Sequence, residues 1–304
     1  MVEPRSNRRV HVFAVFTAFC TFLLLIAGAL VTSNDAGLSV PDWPLSYGSF
    51  LPPMVGGIFY EHGHRMMAAF VGTLSIILAA WLWRVETRAW VRWLGVAAVA
   101  AVVAQGLLGG ITVLFFLPPA ISAAHATLAQ IFFCTVVSIA LFTSGWWERE
   151  RPTVDDGPGT PISSLCLATT GATLLQLILG AIFRHKGFGI VPHLFGAAVV
   201  TYLIFWLAAA LRQRFAEVGV LRGAARVLHA VLGLQLCLGG AAWWSRMYAA
   251  QFPQPIPVMV VLTVAHTVTG ALVLATVVFV TLACYRLVRP LAAGTPVAVG
   301  AGQA

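Results

Sequence analysis

Four histidines stand out for the chemistry they can support. His64, His125, His193 and His266 each lie near one end of a long apolar stretch, where ionisable residues are rare and tend to be functional. They form two pairs: Ala124-His125-Ala126-Thr127 echoes Ala265-His266-Thr267-Val268, and His64 and His193 each open a run of small and apolar residues. A lone histidine in such a place is more often a hydrogen-bonded core residue, but four in related positions are harder to explain that way. One neutral imidazole from each of two facing helices suits the two axial positions of a haem iron. The pattern predicts bis-histidine haem ligation, one site per half of the chain. A zinc or iron site without porphyrin would want three or four protein ligands at one point, and the nearby carboxylate is Glu61 alone.

The two pairs differ in their surroundings. His64 stands in Glu61-His62-Gly63-His64-Arg65, whereas Ile190 and Leu194 take the places of Glu61 and Arg65 around His193. Glu61 and His64, three apart, share a helix face. One reading makes Glu61–Arg65 an i,i+4 ion pair at a helix start, where the helix dipole favours a carboxylate. The other gives Glu61 a part in a reaction at the first site, while the second site only moves electrons; a buried carboxylate is costly unless used or paired. Arg65, with Arg184, Lys186 and Arg246 on the same side, is a candidate partner for haem propionates. His11, His62, His185 and His229 read as interfacial polar residues. The long loop containing Gly37-Leu38-Ser39-Val40-Pro41-Asp42-Trp43-Pro44-Leu45 is either a lid over the first site or an interfacial anchor through Trp43.

These residues need elements to position them, and the composition says which. Of 304 residues, 60% are hydrophobic and 9% charged. A soluble chain carries about 25% charged residues, so a soluble enzyme, a disordered chain and a disulfide-stapled domain are all disfavoured. Eight apolar stretches, at about 12–32, 61–83, 93–116, 120–143, 162–183, 191–211, 224–245 and 258–285, are long enough to cross hydrocarbon. They lack period-two alternation, so helices are expected over a barrel. Fourteen of the 18 Lys and Arg residues, Arg5 among them, fall in the tails and even-numbered connections, against four on the other side. That bias predicts cytoplasmic termini and histidines near the outer side. The bases form short clusters between apolar runs, which argues against nucleic acid. The first span reads as a retained helix. All five cysteines fall inside spans and read as packing residues.

An internal repeat organises the spans. Gln105-Gly106-Leu107-Leu108-Gly109-Gly110 matches Gln235-Leu236-Cys237-Leu238-Gly239-Gly240, with a shorter echo from Gln176 to Gly180. The glycines read as sites of close helix packing. The expected architecture is an all-α integral membrane protein of eight transmembrane helices in two pseudo-symmetric four-helix bundles, 10–145 and 162–290, joined by a cytoplasmic linker at 146–161. Four crossings per half make the repeat parallel.

The loop from Thr32-Ser33 through Gly37-Leu38-Ser39-Val40-Pro41-Asp42-Trp43-Pro44, the Glu61-x-x-His64-Arg65 motif and the Ala-His pairs at 125 and 266 closely resemble the haem A synthase family, over all eight spans. The resemblance implies a membrane oxidoreductase that oxidises the C8 methyl of haem O to the formyl group of haem A by successive hydroxylation. It implies His64 and His125 facing substrate haem O in the first half, His193 and His266 ligating the iron of a haem b in the second, and Glu61 as the essential acid. It further implies a multi-pass protein of a bacterial inner membrane, an unidentified electron donor, and contacts with haem O synthase, cytochrome oxidase assembly factors or a second copy as a homo-oligomer. The chain departs from the family in lacking the outer-loop cysteine pair. Two other readings stand beside it. A di-haem b-type electron carrier needs the histidines but has no use for Glu61. A transporter would want polar groups near the midplane, and these spans show few.

Overall fold

The computed structural model describes residues 8–157 and 159–290, so Arg5 lies outside the described residues. Eight helices in it are long and apolar enough to cross a membrane: α1 (Arg8–Ser33), α2 (Gly56–Val85), α3 (Ala89–Leu114), α4 (Pro119–Phe142), α6 (Ile162–Arg184), α7 (Val191–Arg214), α8 (Gly219–Ala249) and α9 (Pro257–Leu287). A short helix, α5 (Gly145–Glu148), lies in the linker. Two-residue strands β1 (Val154–Asp155) and β2 (Val288–Arg289) pair in parallel. All eight expected spans are present. Helix α2 begins five residues before the apolar run and α8 extends past its run at both ends, because a helix continues beyond hydrocarbon wherever its backbone stays paired. Glu61 therefore lies beyond the first turn of α2, where the helix dipole contributes little.

Each half closes a ring. Helices α1, α2, α3 and α4 pack in sequence and α4 returns to α1; α6, α7, α8 and α9 do the same. The rings meet along α1, α4, α6 and α9. One apolar core lies within each ring, and a third, of Phe133, Cys134, Ala271, Leu274 and Ala275, fills the seam between them. Accordingly α9 and α4 are the most buried helices, at 56% and 44% of their apolar windows, against 28% for α2 and α7. The outward faces show Phe16, Phe19, Val103, Leu107, Phe195, Tyr202 and Leu234. Such a continuous apolar exterior suits lipid, and the molecule is a multi-pass membrane protein. Buried hydroxyls are satisfied locally: Thr17, Thr21, Thr169 and Thr173 donate to the carbonyl four residues earlier.

The seam is fastened at both ends. At the linker end Arg286 of α9 donates to the Trp147 and Arg149 carbonyls at 3.2 and 3.0 Å, and Trp147 packs edge-on against Phe142 of α4. The β1–β2 pair, the bond from the Asp156 N–H to the Arg289 carbonyl, and the contacts of Asp156 with Arg214 and the Ile162 N–H tie the linker to the second half. At the histidine end Arg184 of α6 donates to Ser33 of α1 at 2.9 Å, and Ser33 shares a 3.0 Å hydrogen bond with Thr263 of α9.

Three of the helices that end on the histidine side stop alike. Asp35, Phe116 and Lys186 hold φ of 51°, 58° and 63°. The next residue's N–H in each case reaches back five residues, Ala36 to Val31, Leu117 to Thr112 and Gly187 to Ile182, at 2.7–3.0 Å. This is the Schellman stop, built without glycine at the left-handed position. It turns the chain sharply and brings the next helix back beside the last.

Candidate functional site

Each of the four histidines stands against a glycine of the preceding spanning helix. A Cβ on Gly28 of α1 would lie 3.1 Å from His64 Cε1, and one on Gly109 of α3 would lie 3.4 Å from His125 Cε1. On Gly180 of α6 and Gly239 of α8 it would lie 2.9 Å from the Cε1 of His193 and of His266. Gly28, Gly180 and Gly239 meet their rings in the same order, Cε1 nearest, then Nδ1, then Nε2, so these rings lie in one pose. Packing of helix on helix was the expected role of Gly109 and Gly239. Their observed role is narrower: the missing side chain is the seat of an imidazole. Gly110 seats the indole of Trp43 instead, and Gly240 has nothing within 4 Å. Gly28 was not singled out by the repeat, because Leu24 stands where the other three helices carry glutamine.

In the second half, His193 and His266 meet edge to face with ring centres 6.3 Å apart and planes at 89°, and the Phe183 ring stacks near-parallel to His193 at 6.4 Å. Metal–imidazole bonds of about 2 Å, plus about 1.1 Å from nitrogen to ring centre, put two opposed axial imidazoles about 6.3 Å apart. The pair thus has the spacing to hold one iron between two rings. Nδ1 of His64, His125 and His266 is buried without a protein partner, so these imidazoles are not spent on a hydrogen bond of the fold through that atom. Among the described residues no three His, Cys, Asp or Glu side chains converge on one point. A two-imidazole donor set fits a haem, whose macrocycle supplies the remaining ligands.

The first half carries a polar assembly beside His64. Glu61 is buried; one carboxylate oxygen takes the Arg65 guanidinium at 2.6 Å and the other takes the Val40 N–H at 2.9 Å. Arg65 also donates to the carbonyls of Asp42 and Leu45, both at 2.8 Å. The ion pair weighed from the sequence is present, and it does more than pair: it draws the loop 34–55 down onto α2. His62, expected at the interface, is buried, with Nδ1 2.8 Å from Ser46 Oγ. Asp42 closes the loop on itself by accepting from the Tyr47 and Gly48 N–H groups at 2.7 and 2.8 Å. The Gly48 bond leads in holding its carboxyl below the usual range, helped by Tyr47 and Arg65. Trp43 then reaches α3 at Gly110, beside the seat of His125. The loop runs from the helix of one first-half histidine to the helix that seats the other, as a cover does. The alternating Glu61, His62, His64 and Arg65 were the signal for this split; the loop partners of His62 and Arg65 lie too far off in sequence to be read.

On the same end of the molecule Arg184 is engaged with Ser33, and burial beside Arg184 pushes His185 down to about 4, leaving it neutral. The five cysteines are free, four buried and Cys237 exposed on α8.

The helices, the seated imidazoles and the covered polar assembly define a class: an eight-helix membrane protein with two four-helix halves and a pair of histidines in each. The chain belongs to the cytochrome oxidase assembly protein family, COX15-CtaA, whose family model matches residues 11–192. Among similar proteins, those of Alkalihalophilus pseudofirmus (32% identical over 157 residues), Symbiobacterium thermophilum (35% over 175) and Lysinibacillus sphaericus (30% over 186) are each named heme A synthase. The aligned stretches cover 50%, 54% and 60% of this chain and 52%, 56% and 60% of those proteins. The chain thus spans about half the length of the curated relatives it matches, and the family match stops one residue before His193.

Proposed function

We propose that this protein is a haem A synthase that oxidises the C8 methyl of haem O to the formyl group of haem A by successive hydroxylation. The observation that carries the reading is the Glu61–Arg65–loop assembly, which stands at His64 and has no counterpart at His193. A site that only relays electrons has no need of a buried carboxylate under a folded cover. The first half, 10–145, takes substrate haem O between His64 and His125, with Arg65 toward its polar edge. The second half, 162–290, holds a resident haem b on His193 and His266. When bound, that group supplies one-electron redox chemistry.

The chain's own residues do the rest. The glycine seats fix each imidazole at one depth. The loop keeps water away from the methyl edge, so the Glu61 charge acts in a low-dielectric space where it is worth most. Glu61 stabilises positive charge developing at the methyl carbon or takes its proton at a carboxylate oxygen; Arg65 and the Val40 N–H hold that carboxylate in place. The excess of bases at the linker end supports termini in the cytoplasm and sites toward the outer face of a bacterial inner membrane. The electron donor, haem O synthase, cytochrome oxidase assembly factors and a second copy of the chain are the partners in this reading.

The test is expression in a host that makes haem O, followed by haem extraction. Haem A should appear with the parent chain and vanish with Glu61→Gln. Unchanged haem O beside a working electron donor would favour the di-haem carrier instead.

A further inference from the structure

Gln105, Gln176 and Gln235 each stand four residues before the glycine that seats a histidine. Gln105 Nε2 donates to the His125 carbonyl at 2.9 Å. Gln176 Nε2 donates to the His193 carbonyl at 2.9 Å and lies 3.0 Å from His193 Nδ1. The Gln235 amide lies against Gly270, one turn beyond His266, where a Cβ would come within 3.3 Å of Nε2. Gln176 uses Gly196 in the same way, and a Cβ there would collide with its amide. The amides of Gln105 and Gln176 thus tie the histidine's helix to its neighbour at the depth of the ring, while the Gln235 amide packs against the helix of His266 in the equivalent place; hydrogen bonds across helices resist sliding and rotation.

The fourth position breaks the rule. Gly28 seats His64 in the pose found at Gly180 and Gly239, but four residues earlier stands Leu24, packed in the apolar core of the first half. Leucine has no amide to offer the His64 backbone. We infer that Gln105 and Gln176, with Gln235 packed in the equivalent place, are positioning residues for His125, His193 and His266, and that Leu24 makes His64 the releasable ligand of the first-half haem. This rests on the haem reading above. It explains how one protein can keep a haem in one half and exchange a haem in the other with the same four-histidine plan: the exchanging site is clamped on the His125 side alone.

The experiment uses the full-length, haem-loaded protein in detergent, with haem release to excess apomyoglobin and the spin state of the bound iron as readouts. Leu24→Gln should slow the faster-leaving haem about tenfold, the worth of one good interhelical hydrogen bond, and raise its six-coordinate low-spin fraction. Leu24→Met, with the volume but no amide, should match the parent. Gln176→Met should speed release of the slower-leaving haem about tenfold and add a high-spin component, and Gln235→Met, which removes packing alone, should do so by a smaller factor. A folded, loaded Leu24→Gln with the parent's release rates and spin state overturns the inference. If Leu24→Gln does not fold, unaltered release and spin state in both Gln→Met variants overturn it. A parent chain that binds no haem overturns the proposed function itself, and this inference with it.

Discussion

The two halves are built on one plan and diverge in what surrounds the rings. In the second half His193 and His266 stand 6.3 Å apart, with Phe183 stacked on His193 and Gln176 alongside. Among the described residues nothing there resembles Glu61, Arg65 or the loop they hold. In the first half the carboxylate, the guanidinium and the folded loop crowd one histidine, whose helix lacks a glutamine tie. In the function proposed above, a duplicated bundle divides its labour by editing what surrounds each histidine while leaving the histidine alone. Both halves keep glycine under each ring, because the backbone must lie that close.

The contrast can be broken or sharpened by substitution. The largest expected effect is at Glu61: Glu61→Gln should lower haem A formation at least about 10²-fold while leaving bound haem unchanged, as extracted pigment and the visible spectrum will show. Equal haem loss would make Glu61 a structural group and erase the difference between the halves. Next come the ligands. His193→Ala or His266→Ala should remove the stably held haem, whereas His64→Ala should chiefly remove activity; equal haem loss in all would undo the assignment of the halves. Filling the seats should follow. Gly180→Ala or Gly239→Ala places a methyl 2.9 Å from a ring carbon, an overpacking worth about 1–3 kcal/mol of stability, and should weaken haem retention more than Gly109→Ala, where the gap is 3.4 Å.

The smallest effects are at the cover. The Asp42 carboxyl is held below the ordinary range by backbone donors in the folded loop. Its contribution is complete above the unfolded carboxylate value and is lost as pH falls through the lowered folded value. Amide exchange across 40–48 should therefore speed up only in strong acid in the parent, and already at neutral pH in Asp42→Ala. Exchange that ignores both changes would remove Asp42 from the account of the loop.

The eight crossings were legible because a hydrocarbon-length apolar run is a strong signal, and the pairing of histidines was legible because the repeat carries its neighbours along. The glycine seats were half legible. Gln105 to Gly109 and Gln235 to Gly239 stood out as strings, yet strings of small residues ordinarily mean helix packing, and nothing local shows that a ring from another helix fills the gap. Gly28 escaped because Leu24 breaks the string. His62 escaped because its partner, Ser46, lies in the loop rather than on its own helix. The β1–β2 pairing could not be foreseen from two residues on each side; tertiary proximity alone makes that ladder.

The fastening of the seam at both ends has a mechanical consequence. With Arg286, Trp147 and Phe142 at one end, and Arg184, Ser33 and Thr263 at the other, the line between the halves is riveted rather than hinged. The separation of the two histidine pairs then behaves as a constant of the molecule. For the proposed function, a broad, flat guest would then enter through the outer wall of one ring rather than along the seam.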